Sequence, residues 1–149
     1  MAFWDTSALL KLYVRERDSD RFHHLIQTLP EQTAISQFTL AEMHRALWAK
    51  VFARAVPANF AHKAYREFRA DVEAAFLDVV PFERAVEEEF DRIIPICYRA
   101  SPPVPLRTLD GLILASALTA RTARLVSTDS RMRAAGTLLG LHVLPESFR

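Results

Sequence analysis

Four acidic residues stand where a carboxylate can do more than solubilise a surface: Asp5, Glu42, Asp110 and Asp129. Asp5 follows the apolar run Ala2-Phe3-Trp4, which reads as a buried strand. It precedes Thr6 and Ser7, which open an apolar helical pattern through Ala8, Leu9, Leu12 and Tyr13. A carboxylate at the carboxyl end of an inner strand lies where open α/β sheets bind their ligands. Asp129 stands in the same relation to the short run Arg124-Leu-Val-Ser127. Asp110 opens a helical stretch, Leu109 to Leu118, that is apolar nearly all round and so expected to be buried. An ionised carboxylate beside such a core is costly unless it is paired or coordinates a cation. Glu42 is the exception to the pattern: it falls opposite the Leu40, Leu47 and Val51 stripe of its helix, and periodicity alone makes it a solvated residue.

Each acid also has a structural reading. Asp129 can cap the helix that begins at Ser130, a role contributing roughly 1 kcal/mol, and Asp110 can complement the dipole of its helix. The joint pattern points further. Two acids end strands of a parallel sheet, and two occupy the first turns of helices that should start from the same edge. Carboxylates gathered there repel one another and raise their pKa values. A hard divalent cation such as Mg²⁺ or Mn²⁺ relieves that repulsion, and oxygen ligands suit it.

The elements that must position these acids alternate along the chain. After the first helix comes the charged corner Arg15 to Asp20, then a helix through Phe22, Leu25, Ile26 and Leu29 that Pro30 stops. Thr33 to Ser36 is the second strand. A helical pair follows, Thr39 to Ala55 and Pro57 to Ala75, with Pro57 suited to a first helical position. Phe76 to Val80 is the third strand. Phe82 to about Tyr98 is helical, with Pro95 expected to kink or end it early. Arg99 to Pro105 carries three prolines and reads as an extended loop. Thr108 is expected to cap a helix reaching about Thr122. Arg124 to Ser127 is the fourth strand, Ser130 to Leu139 a helix stopped by Gly140, and Leu141 to Leu144 the last strand. Such alternation is the signature of an α/β fold, a parallel sheet covered by helices on both faces.

Composition narrows the setting. At 149 residues, half of them hydrophobic and only three glycine, the chain is expected to form one domain, residues 1–149, with a substantial core. A net charge of +1 provides no overall field for a polyanion, so nucleic-acid binding would need a local patch. Cys97, the single cysteine, allows neither an intrachain disulfide nor a thiolate metal cage, and is expected to be buried and inert. The N-terminus enters the first strand without a basic leader, and no apolar run approaches a membrane span. The expected setting is the cytoplasm, with no membrane contact.

The stretches Phe3-Trp-Asp-Thr-Ser-Ala-Leu-Leu-Lys11, Leu40-Ala-Glu-Met43, Leu106-Arg-Thr-Leu-Asp-Gly-Leu-Ile-Leu-Ala-Ser-Ala-Leu118 and Val126-Ser-Thr-Asp129 together resemble the PIN-domain ribonucleases, most closely the VapC toxins of toxin–antitoxin pairs. The resemblance implies a five-stranded parallel sheet of order 3-2-1-4-5 and Mg²⁺- or Mn²⁺-dependent cleavage of RNA. It assigns Asp5, Glu42, Asp110 and Asp129 to one or two cations, held directly or through water, with a metal-bound water attacking the phosphodiester. Thr6 or Ser7 would steady Asp5 or a bound water, and Thr108 or Thr128 would do so beside the neighbouring acids. Lys11, Arg15, Arg45, Arg107 and Arg131 are the candidates for RNA phosphate, each of which reads more readily as an ordinary surface charge. Trp4, Tyr13 and Trp48 are aromatic candidates for base stacking that also fit a core. The resemblance further implies a homodimer and a cognate VapB-like antitoxin laid across the site, with Thr39 to Ala75 the surface for both. Gly111 departs from it, standing where alanine is more frequent, and the loop from Arg99 to Pro105 is longer than usual.

Other chemistries fit less well. Aspartyl-nucleophile phosphatases need a second acid two residues after the first, where Ser7 stands. A phosphate-accepting receiver domain wants a late lysine, and none follows Lys63. The five histidines show no H-x-x-x-H spacing. The remaining alternative is a PIN-like fold that binds or scaffolds without catalysis.

Overall fold

A computed structural model describes residues 1–148. The strands are β1 (Ala2–Trp4), β2 (Thr33–Ser36), β3 (Leu77–Val80), β4 (Arg124–Val126) and β5 (His142–Leu144). They form one all-parallel sheet in the order β3-β2-β1-β4-β5, as the alternation of elements and the resemblance implied. Among the described residues seven α-helices surround it: α1 (Thr6–Leu9), α2 (Ser19–Thr28), α3 (Gln37–Phe52), α4 (Phe60–Glu73), α5 (Arg84–Arg99), α6 (Thr108–Thr119) and α7 (Ser130–Leu138). No helix among the described residues is long and apolar enough to cross a membrane.

Successive side chains of a strand point to opposite faces, and here each face has its own core. Phe3, Ala34 and Leu125 face α5, α6 and α7, meeting Ile93, Cys97, Ile113, Leu114 and Met132. Trp4, Ile35 and Val126 face the other side, where Leu9, Phe22, Met43 and Phe68 close over them. Strands covered on both sides are apolar in their interiors; the polar residues Thr33, Ser36, Arg124 and His142 stand at strand ends, and Asp78 lies in the edge strand β3.

Several element ends differ from those read off the chain. The first helix is α-helical only to Leu9 and tightens into a 3₁₀ turn over Leu10–Leu12. Helix α3 begins at Gln37 rather than Thr39, because Ser36, the last residue of β2, caps it by accepting from the Phe38 N–H at 3.1 Å. Helix α4 begins at Phe60 rather than Pro57 and α6 stops at Thr119 rather than Thr122. Pro95 lies inside α5 without ending it. Its ring faces solvent, whereas Ile93 and Cys97 beside it are fully buried against α6, and this packing outweighs the lost hydrogen bond. Thr108 is not a cap: Arg107 holds that position without a side-chain hydrogen bond, and Thr108 is the first helical residue. Cys97 is free and buried, as expected.

Candidate active site

The site is built where β1 and β4 end side by side. Trp4 pairs with Val126, so the next residues, Asp5 and Ser127, leave the sheet as neighbours. The Asp5 N–H donates to the Val126 carbonyl at 2.9 Å and continues the ladder one step past the strand. The Asp5 side chain, only 4 % exposed, is then held on both oxygens. Oδ1 accepts from the Thr6 N–H at 2.8 Å; Oδ2 accepts from the hydroxyls of Ser7 and Ser127, each at 2.8 Å. Burial nevertheless outweighs these donors and raises the Asp5 pKa to about 6, with the charges of Glu42 and Asp129 pushing the same way.

Ser127 belongs to the site too, although local pattern in the chain reads it only as the end of a strand. It is fully buried, and its hydroxyl also accepts from the Asp129 N–H at 3.1 Å. The signal was available in the strand order: with β4 beside β1, whatever follows Val126 must face Asp5. Ser7 reaches the same loop, accepting from the Thr128 N–H at 3.0 Å. Thr128 therefore contributes its backbone to the site.

Glu42 corrects the periodicity reading. It sits in the second turn of α3 and is half-buried, with the Thr6 hydroxyl donating to its Oε1 at 2.5 Å. Helices α1 and α6 both pack against α3, and Thr6 reaches Glu42 from α1. Desolvation raises the Glu42 pKa; the Asp110 charge adds to this, while Arg45 and Arg107 oppose it. Asp110, in the first turn of α6, has a largely buried side chain whose Oδ2 accepts from Arg107 Nε at 3.2 Å. Asp129 is the N-cap of α7, its Oδ1 accepting from the Met132 N–H at 2.9 Å, so the capping role anticipated for it is real.

The structure therefore brings all four acids to one edge of the sheet as a chain of neighbours. Asp129 and Glu42 act on Asp5, and Asp110 acts on Glu42. They do not close on a point: among the described residues no three His, Cys, Asp or Glu side chains are placed to hold one ion together. The chemistry of the donors still fits a hard cation, because the edge offers carboxylate and hydroxyl oxygens and nothing softer. Mg²⁺ in particular keeps several waters and needs only one or two direct carboxylates.

The model of the PIN domain matches residues 2–138. The chain belongs to the PIN-domain family. This PIN domain is 33% identical over 147 residues to Ribonuclease VapC46 of Mycobacterium tuberculosis, a match covering 97% of each chain. Its fold is shared with Mycobacterium tuberculosis VapC20, a sarcin–ricin-loop-cleaving toxin (TM-score 0.68, 16% identity, 91% of this chain and 95% of that one). It is shared equally with a toxin–antitoxin complex from Klebsiella pneumoniae (TM-score 0.66, 19% identity, 100% of both chains).

The basic candidates of this PIN domain divide sharply. Lys11 is buried and its ammonium is taken up by Asp18 at 2.7 Å and Glu16 at 3.2 Å, which leaves no free charge for phosphate. Arg15 is exposed and paired with Asp20 at 2.6 Å. Arg45 and Arg107 are exposed beside the acids and act on Glu42. Arg131 is exposed on the first turn of α7, next to Asp129. Among the aromatics, Trp4 is fully buried and Tyr13 donates its hydroxyl to Asp71 at 2.6 Å, whereas Trp48 is half-exposed.

Proposed function

We propose that this protein is a divalent-cation-dependent endoribonuclease and the toxin of a toxin–antitoxin pair. The observation carrying this reading is Asp5, a buried carboxylate fixed on both oxygens by three donors at 2.8 Å and crowded by Glu42 and Asp129. It lies in a chain similar along nearly its whole length to a ribonuclease. A carboxylate so deeply buried is costly to ionise unless it is paired or coordinates a cation.

Asp5, Glu42, Asp110 and Asp129 would hold Mg²⁺ or Mn²⁺, directly or through water. The bound cation would activate water and offset charge on the phosphoryl oxygens. The chain's own residues do the rest. Ser7 and Ser127 fix Asp5 in one rotamer, Thr6 fixes Glu42, and Asp129 is fixed by its capping bond. Thr108 and Thr128 flank the two later acids. Arg45, Arg107 and Arg131 stand exposed around that edge and provide the local positive charge an RNA backbone needs, which the net charge of +1 does not.

An antitoxin partner is supported by the fold shared with the Klebsiella toxin–antitoxin complex. Helix α3 presents Trp48, 48% exposed, and Phe52, 92% exposed, one turn apart, and this apolar face within Thr39 to Ala75 is the proposed surface for the antitoxin or for a homodimer. The decisive experiment is incubation of purified protein with a mixed RNA pool, with Mn²⁺ and with chelator. Cleavage that needs the cation and disappears in Asp5→Asn supports the reading. Cation-independent cleavage overturns the metal dependence, and no cleavage by a folded protein returns the chain to a binding or scaffolding role.

A further inference from the structure

The loop that carries Ser127 and Asp129 has a third support, which none of the site residues accounts for. Arg133 lies on α7, one turn beyond the capping Asp129, and its backbone N–H donates to the Asp129 carbonyl at 2.9 Å. Its side chain turns back toward the ends of β4 and β5. Nη1 donates to the Ser127 carbonyl at 2.8 Å and to the Leu144 carbonyl at 3.1 Å; Nη2 donates to the Pro145 carbonyl at 2.6 Å. Leu144 also accepts from the Ser127 N–H at 3.1 Å. Ser127 is thus gripped at both its N–H and its carbonyl, while its hydroxyl holds Asp5.

We propose that Arg133 is a positioning residue for the acidic site: by fixing the Ser127 backbone it sets the direction of the hydroxyl that orients Asp5. The proposal rests on the nuclease reading above. A planar fork of donors is what three carbonyls converging from two strand ends require. A lysine offers one nitrogen where these bonds use two. Loosening the Ser127 backbone swings its Oγ, and an oriented carboxylate that loses its partner loses cation affinity, by roughly 10- to 100-fold where such partners have been removed. A plainer role competes, since Arg133 also anchors the C-terminal segment: the Phe148 ring lies 5.8 Å from its guanidinium and packs edge-on against Phe22.

Three variants of the full chain separate these roles: Arg133→Met, which keeps the stem and removes the donors; Arg133→Lys; and Phe148→Ala, which disturbs the C-terminal anchor alone. Two readouts are used at a temperature where all three are folded, amide hydrogen exchange and calorimetric titration with MnCl₂. Arg133→Met should speed exchange at Thr128 and Asp129 while leaving Phe3 and Ala34 protected, and should weaken Mn²⁺ binding about tenfold. Arg133→Lys should recover part of that loss, and Phe148→Ala should bind Mn²⁺ like the wild type. The proposal is overturned by unchanged Mn²⁺ affinity in Arg133→Met, by exchange that accelerates across the whole sheet, or by an equal loss in Phe148→Ala. If the wild type itself binds no Mn²⁺, the nuclease reading falls and this proposal with it. An unaffected Arg133→Met beside a wild type that binds the ion sinks the Arg133 role alone.

Discussion

Asp5 and Ser127, 122 positions apart in the chain, share a 2.8 Å hydrogen bond because β1 and β4 are neighbours in register and both strands end at the same level. Removing the Ser127 hydroxyl leaves a buried carboxylate oxygen with one donor fewer. Ser127→Ala is expected to lower stability by about 1–3 kcal/mol and to weaken Mn²⁺ binding at least tenfold. Denaturant melts and a Mn²⁺ titration measure the two effects separately. A variant with unaltered ion affinity would show that Asp5 needs no such partner.

The buried charge of Asp5 opposes folding when no cation is present. Asp5→Asn is therefore expected to melt no lower than the wild type in chelator, and to lose the rise in melting temperature that Mn²⁺ gives the wild type. Thermal melts of both proteins in chelator and in Mn²⁺ decide the matter. A variant that melts several degrees lower in chelator would mean that Asp5 serves chiefly as the cap of α1, which its bond to the Thr6 N–H also makes it.

The same burial fixes a pH dependence. Asp5 ionises near its ordinary 3.8 in the unfolded chain but only at about 6 in the fold. Between those values the native state holds the extra proton, so this group's contribution makes the cation-free protein less stable as pH rises from 4 to 6, by roughly 3 kcal/mol at most. Above pH 6 that contribution is flat. Glu42, also raised, acts in the same direction. Comparing wild type with Asp5→Asn across this range isolates the effect: the stability difference between them should grow with pH and then level off.

Arg107 stands at the mouth of the site, 72% exposed at its side chain while bonded to Asp110. Arg107→Ala is expected to raise KM for RNA, with a smaller change in kcat, and to reduce the slope of log affinity against log salt by about one. Binding to a catalytically silenced protein at several salt concentrations checks it. An unchanged slope would remove Arg107 from the phosphate contacts.

Gly111, the departure noted in the chain, has a packing reason. A Cβ there would lie 2.7 Å from Phe90 Cε2 and 3.0 Å from Ile94 Cδ1, because α5 crosses close over the start of α6. Gly111→Ala is expected to destabilise by about 1–3 kcal/mol unless the Phe90 ring moves aside. Combining it with Phe90→Leu should return part of the loss, and equilibrium unfolding of the single and double variants measures the coupling.

The chain by itself determined the order and kind of the elements, the parallel sheet and the positions of four acids. These follow from local patterns: apolar runs of strand length, helical stripes, and punctuation by proline and glycine. Its errors were also local. Pro95 reads as a kink or early end of a helix that in fact runs on to Arg99, with Ile93 and Cys97 packed against α6, and Thr108 reads as a cap that it does not form. Only tertiary structure decided which polar groups meet. Glu42 reads as solvated because a helix seen alone has one apolar face, whereas α1 and α6 pack against α3 and the Thr6 hydroxyl holds the carboxylate. Lys11 read as free until Glu16 and Asp18 closed on it. Ser127 read as an ordinary strand end until β4 lay beside β1. Periodicity records which way a side chain points from its own axis; what it points at depends on the neighbour that the crossing connections bring alongside.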